Sequence, residues 1–226
     1  MYTLYIANKN YSSWSLRPWL LMRELGMAFE EKLVPFAVGS NRENFGFAPH
    51  GKVPCLRNGS ETIWDSLAIV EYLAERHGNV WPADSAARAW ARCAAAEMHS
   101  GFSTLRERCT MNCGIRVRLQ DVPQALQDDV QRIDELWCEG LARFGGPFLA
   151  GAHFGAADAM YAPVALRAQT YGLALSATAS AYAQRLRELP AMREWYAAAL
   201  KETWREPGHE AEAKASGVWL EDLRTS

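Results

Sequence analysis

Tyr2-Thr3-Leu4-Tyr5-Ile6, followed by Asn8-Lys9-Asn10-Tyr11-Ser12-Ser13-Trp14-Ser15-Leu16-Arg17-Pro18-Trp19, decides how the first part of this chain folds. The first five residues are mostly β-branched or aromatic and suit a strand. Leu16 to Leu25 then reads as an apolar-rich helix stopped by Gly26. Pro18 is tolerable in the first helical turn, where its missing N–H has no partner inside the helix anyway. Three serines crowd the helix start. Serine is a favoured cap, so taken alone the cluster reads first as capping; the functional reading is that one hydroxyl faces a bound nucleophile at the positive end of the helix.

Working outward, Glu30 to Phe36 and Val53 to Leu56 read as further short strands. Glu61-Thr62-Ile63-Trp64 pairs back after the Asn58-Gly59 turn. A second helix is expected from Asp65 to His77, ending at Gly78. The order β-α-β, then β-β-α, implies a parallel pair with a crossover helix and a hairpin covered by a helix. Trp81-Pro82-Ala83-Asp84-Ser85 reads as a linker, and no strand is expected beyond it. Ala86 to about Cys109 is Ala-rich and helical. Leu126, Val130, Ile133, Trp137, Leu141 and Phe144 form the stripe of an amphipathic helix closed by Gly145-Gly146-Pro147. Further helices are expected at 156–171, 180–188 and 190–204. The expectation is an α/β domain over 1–80 and an all-helical domain over 86–226.

The 226 residues leave room for one large or two small domains. The chain is 49% hydrophobic and 22% charged with no apolar run of membrane-spanning length, which argues against a membrane protein and against general disorder. A net charge of -2 supplies no basic field for nucleic acid or anionic lipid. No export signal opens the sequence and the five cysteines are an odd number, so reduced thiols in a cytoplasmic protein are expected.

Two more segments carry chemistry. In His50-Gly51-Lys52-Val53-Pro54-Cys55-Leu56 a proline opens a strand. An ordinary trans bond at a strand edge accounts for it; a cis Val53-Pro54 bond would turn the Val53 N–H and C=O toward a ligand's backbone. In Trp64-Asp65-Ser66-Leu67, Asp65 is a good N-cap, and Ser66 lies in a first turn whose free amides can hold a carboxylate.

Together these segments resemble the glutathione transferase family. The strand, serine loop and helix, the Val-Pro strand and the Asp-Ser helix start look like its thioredoxin-like N-terminal domain, and the remainder like its all-α C-terminal domain. Ser-Ser-Trp-Ser-Leu-Arg is similar to the Ser-Ser-Cys-Ser-x-Arg loop of zeta-class enzymes, which include maleylacetoacetate isomerases. Phe148-Leu149-Ala150-Gly151 followed by Phe154-Gly155-Ala156-Ala157-Asp158 matches a further family segment, with Gly155 in place of a hydroxyl cap and Asp158 in a structural role.

The resemblance puts the activating hydroxyl at Ser12, with Ser13 as rival. Val53, beside Pro54, would pair through its backbone with the cysteinyl unit of glutathione. Asp65 and Ser66 would hold the γ-glutamyl end, and Lys52 is placed to reach a carboxylate. Ser15 is expected as a cap and Arg17 as structural. The implied protein is a cytoplasmic homodimer of detoxifying type that uses glutathione as co-substrate, without a metal. Its second substrate is a hydrophobic electrophile, or a cis double bond to be isomerised; a non-enzymatic binding module is the alternative.

A serine is chemically sufficient. Lowering a thiol of pKa about 8.5 by two units requires roughly 2.7 kcal/mol of preference for the anion. A hydrogen bond to a charged group supplies about 1.5–3 kcal/mol, and a helix N-terminus about 0.3–1. Other signals are weaker. Cys109-Thr110-Met111-Asn112-Cys113 lacks a second ligand pair at zinc spacing. No C-x-x-C opens the first helix, against disulfide exchange. Met98, Phe102 and Met111 either line an apolar pocket or simply pack.

Overall fold

The computed structural model describes residues 1–37 and 41–225. Tyr2–Ile6 forms β1, Ser13–Glu24 α1 and Phe29–Leu33 β2. A short α2 (Asn41–Asn44) precedes β3 (Cys55–Asn58), β4 (Glu61–Trp64) and α3 (Ser66–Ala74). The sheet order is β2-β1-β3-β4, with β1 parallel to β2 and antiparallel to β3. This is the expected pairing: α1 is the crossover that a parallel pair requires. Leu4 sits opposite Leu56 in the ladder, and both join Ile6, Leu16, Leu20, Ile69, Val70 and Leu73 in the core.

Helix α1 begins at Ser13, almost a turn before the apolar run at Leu16, because Ser12 takes the capping position. Pro18 therefore falls in the second turn, where its missing N–H leaves the Trp14 carbonyl without its usual intrahelical donor.

The rest of the described chain is mainly helical. It runs α4 (Ser85–Ser100), α5 (Ser103–Arg108), β5 (Ile115–Leu119), α6 (Gln124–Phe144), α7 (Ala156–Tyr171), α8 (Ala177–Glu188), α9 (Pro190–Lys201), α10 (Pro207–Ser216) and β6 (Gly217–Asp222). The single helix expected over Ala86 to Cys109 is two, separated at Gly101 and by Phe102 in the left-handed region. A two-stranded antiparallel sheet of β5 and β6 also departs from an all-helical reading. Ile115-Arg116-Val117-Arg118-Leu119 does alternate with period two, but its partner lies about a hundred residues downstream, beyond the reach of local pattern. A Cβ on Gly217, where β6 begins, would come within 2.1 Å of the Arg118 carbonyl oxygen, so the close approach of the two strands there requires glycine.

Helix α7 is the central pillar, buried along most of its length and apolar nearly all round. The alanine face of α4 packs on one side of it and α1 on another. Asp158 in its first turn accepts from the Gly155 N–H at 2.9 Å, the Leu149 N–H at 3.0 Å and the Tyr182 hydroxyl at 2.6 Å. Burial nevertheless pushes its pKa up to about 6. Trp19 of α1 meets Trp195 of α9 edge-on at 5.0 Å, so one continuous core joins the sheet to the helices. Among the described residues no helix is long and apolar enough to cross a membrane.

Candidate active site

The loop from Ala7 to Ser12 leaves β1 and enters α1, and groups from the far end of the chain fix it. The Glu202 carboxylate accepts from the Lys9 N–H at 2.6 Å and the Asn10 N–H at 3.1 Å. Burial raises the Glu202 pKa, opposed by these two backbone donors. Trp195 donates its indole N–H to the Lys9 carbonyl at 2.9 Å, and Asn10 bonds Asn112 and Gly114. The Tyr11 hydroxyl donates to Glu210 at 2.7 Å, and Glu210 pairs with the buried Arg224 guanidinium at 2.5 Å. His209 of α10 stacks over Tyr11 with ring centroids 5.1 Å apart. The final helix and strand thus strap the loop from outside.

At the end of this loop the two serines are used differently. The Ser12 Oγ accepts from the Ser15 N–H at 3.4 Å and donates to the Ser15 Oγ at 2.7 Å; the latter accepts from the Ala7 N–H at 3.3 Å. The capping role expected of Ser15 belongs to Ser12. The Ser13 Oγ instead accepts from Nη2 of Arg167 at 3.2 Å, an arginine of α7 whose Nε donates to the Cys109 carbonyl at 2.7 Å.

Three guanidiniums lie close to this helix start. Arg17 is buried, stacked 4.1 Å over the Trp14 ring, with Nη1 3.4 Å from the Ser66 Oγ. Burial, followed by repulsion from Arg167 and Arg106, pulls its pKa down to about 9. Burial also lowers Arg167, to about 10. Arg106 of α5 donates to the Met98 carbonyl at 3.1 Å and the His99 carbonyl at 3.4 Å, and burial lowers its pKa too.

The Val53-Pro54 peptide is cis, and both residues precede the ladder, which starts at Cys55. Asp65 caps α3, its carboxylate accepting from the Leu67 N–H at 2.8 Å, at φ +74°. For a non-glycine residue such a backbone costs on the order of 1–3 kcal/mol and is found preferentially at functional sites. Its other oxygen is 3.5 Å from Nε2 of His99, whose pKa burial lowers. Ser66 is buried in the first turn of α3.

These pieces line two adjoining cavities. One, of about 600 Å³, takes in Ser12, Ser13, Lys52, Val53, Arg106 and Arg167. The other, of about 310 Å³, takes in Lys52, Val53, Pro54, Asp65, Ser66 and His99. They share Trp14, His50, Lys52 and Val53. Every expected site residue borders one or both. Of the three residues considered for an apolar pocket, Met111 lines the larger cavity while Met98 and Phe102 pack in the core.

Arg106, Arg167, His50, His99 and His209 were not singled out for this site from sequence. Arg167 lies in the middle of a buried helical pattern, where an arginine reads as an exception rather than a pointer; only a fully charged residue at a core position could have flagged it. Cys113 is also buried and donates its thiol to the Lys9 carbonyl at 3.5 Å.

Comparison with known proteins agrees with this architecture. The family model of the glutathione S-transferase N-terminal domain matches residues 11–76, and that of the C-terminal domain residues 83–198. The chain is 25% identical over 175 residues to the glutathione S-transferase-like protein OpS6 of Beauveria bassiana, covering 71% of this chain and 76% of that one. It is 35% identical over 68 residues to glutathione S-transferase 2 of Schizosaccharomyces pombe, covering 26% and 30%. Among solved structures, an epsilon-class glutathione S-transferase from the housefly Musca domestica superposes with a TM-score of 0.68 at 22% identity, covering 96% of this chain and 98% of that one. A glutathione transferase homologue from Burkholderia, with bound glutathione, superposes with a TM-score of 0.65 at 23% identity, covering 88% and 97%.

Proposed function

We propose that this chain, which belongs to the glutathione S-transferase family, binds glutathione across the two joined cavities and ionises its thiol through a serine hydroxyl for attack on a hydrophobic electrophile. What supports the reading is a single observation: residues from three separate segments, at 12–13, 52–54 and 65–66, border cavities that meet at Lys52 and Val53. In this reading Val53 pairs through its backbone with the cysteinyl unit. The first turn of α3, with Ser66 and Asp65, takes the γ-glutamyl end, and Lys52 takes a carboxylate. Residues 1–80 supply these contacts and residues 86–226 the wall for the second substrate. A homodimer belongs to the same reading, checked by the particle mass in solution.

Of the two serines, Ser13 is the better donor to sulfur. The Ser12 proton is spent on Ser15. Ser13 accepts from a guanidinium and its own O–H has no acceptor among the described residues, and a cationic donor on its oxygen makes that proton more acidic. The thiolate also sits at the positive end of α1. The electrophile held beside it then needs only positioning.

Thermal unfolding during a glutathione titration tests the proposal. Ligand at a hundred times Kd adds about 2.7 kcal/mol of stability. No shift at millimolar glutathione, and no thiolate absorbance, would leave a binding module without this ligand.

A further inference from the structure

The larger cavity has an unbalanced charge on the side built by the helices. Arg106 of α5 and Arg167 of α7 both border it. Among the described residues neither guanidinium has a carboxylate within ion-pair distance; Asp129 and Glu107 attract Arg106 only from farther off. Arg167 is 3% exposed and its Nη1 has no hydrogen-bond partner. Glu212 is the one carboxylate among the described residues lining this cavity. A buried cation without a counter-ion is costly to keep, and proteins rarely keep one where nothing anionic arrives to offset it. Low-dielectric walls also focus such a field into the cleft.

Glutathione offsets at most one of these two charges, through the thiolate beside Ser13, which Arg167 reaches through Nη2. In the reading above its carboxylates go to Lys52 and to the start of α3, both on the sheet side. Arg106 and Arg167 border the larger cavity together with Met111 and Thr110, and neither borders the smaller one that holds Asp65 and Ser66. The same cavity is bordered by Tyr11, Trp14, Phe36 and Phe45, which favour a flat apolar frame.

We propose that this wall selects, as the acceptor of sulfur, an aromatic or similarly flat electrophile bearing a carboxylate, with the carboxylate held toward Arg106 and Arg167. The inference rests on the thiolate reading and gives the second substrate its chemical class. Arg167 then serves twice, orienting Ser13 through Nη2 and supplying charge for the incoming carboxylate. For a chloro-dinitrobenzoate the step balances simply. The glutathione sulfur bonds to the ring carbon, the carbon–chlorine bond breaks, chloride leaves, and the thiol proton goes to solvent.

Two measurements test this, one of which needs no chemistry. With S-methylglutathione saturating the tripeptide site, calorimetry compares 3,5-dinitrobenzoate with its uncharged methyl ester. The carboxylate should bind at least about tenfold more tightly, the range of a charge-assisted hydrogen bond. In turnover, 4-chloro-3,5-dinitrobenzoate should exceed its methyl ester by a similar factor in kcat/KM, each divided by its uncatalysed rate with glutathione. Arg106→Gln should collapse both ratios and Arg106→Lys should largely keep them; where Arg106→Gln does not fold, Arg167→Gln should collapse the binding ratio measured with S-methylglutathione, which needs no turnover. Equal binding of acid and ester by the wild-type protein would overturn the proposal, as would a preference that survives Arg106→Gln. Absence of thiolate with a normal benzoate preference would instead sink the thiolate reading and leave the anion site standing.

Discussion

Replacing Ser13 by alanine removes the one hydroxyl at the helix start that accepts from Arg167 and whose proton is not engaged by Ser15. A hydrogen bond to a charged group contributes about 1.5–3 kcal/mol, so Ser13→Ala should raise the pKa of bound glutathione by about 1–2 units. With a wild-type value near 6.5, a rise of about 1.5 units lowers the thiolate fraction at pH 6.5 from roughly one half to roughly 3%, about fifteenfold. Above about pH 9 the two proteins should carry nearly equal thiolate, because both values are then exceeded. The assay is a pH titration of thiolate absorbance with glutathione bound, read beside glutathione affinity, which should change little. Turnover should fall by less than the thiolate does, since a more basic thiolate is the better nucleophile. Ser12→Ala should leave the titration near wild type while weakening the cap of α1 by about 0.5–2 kcal/mol. A raised thiol pKa in Ser12→Ala with none in Ser13→Ala would refute the assignment.

Further outcomes follow from other parts of the molecule. The Asp158 carboxyl has a folded pKa of about 6, above its ordinary range, so the folded protein binds more protons than the unfolded one between the two values and loses stability as pH rises through that window. Urea unfolding of wild type and Asp158→Asn between about pH 4 and 6.5 should show this slope in the wild type only. Glu210→Gln removes the charge that pairs with Arg224 and turns one of its two facing oxygens into a donor, and should cost about 1–3 kcal/mol, seen as a lower urea midpoint. Gly140→Ala would place a Cβ 2.4 Å from the Trp90 ring and 2.6 Å from the Leu149 carbonyl oxygen. It should destabilise by about 1–3 kcal/mol despite the better helix propensity of alanine. Ser66→Ala should weaken glutathione binding, measured by calorimetry, with the thiolate pKa unchanged.

The strands and the two long helices of the first part, in their order, were readable from sequence alone; the short α2 was not. Tyr2–Ile6, Glu61–Trp64 and 156–171 were legible to within a residue or so, because periodicity, caps and turns are local and each announces itself within one segment. The two candidate serines and the Val53-Pro54 and Asp65-Ser66 pairs were legible for the same reason: each sits at a helix or strand start with its own signature. What no window of sequence carried was partnership across distance. Arg167 lies 154 residues from Ser13, and Glu202 192 residues from the Asn10 N–H it accepts. The pairing of β5 with β6 likewise joins Leu119 to Gly217. Which hydroxyl keeps a free proton, and which wall of the cleft carries unpaired charge, are properties of groups brought together only by packing α7 against α1. Hydrogen bonds act over about 3 Å and say nothing about separation along the chain, so the tertiary fold alone decided them.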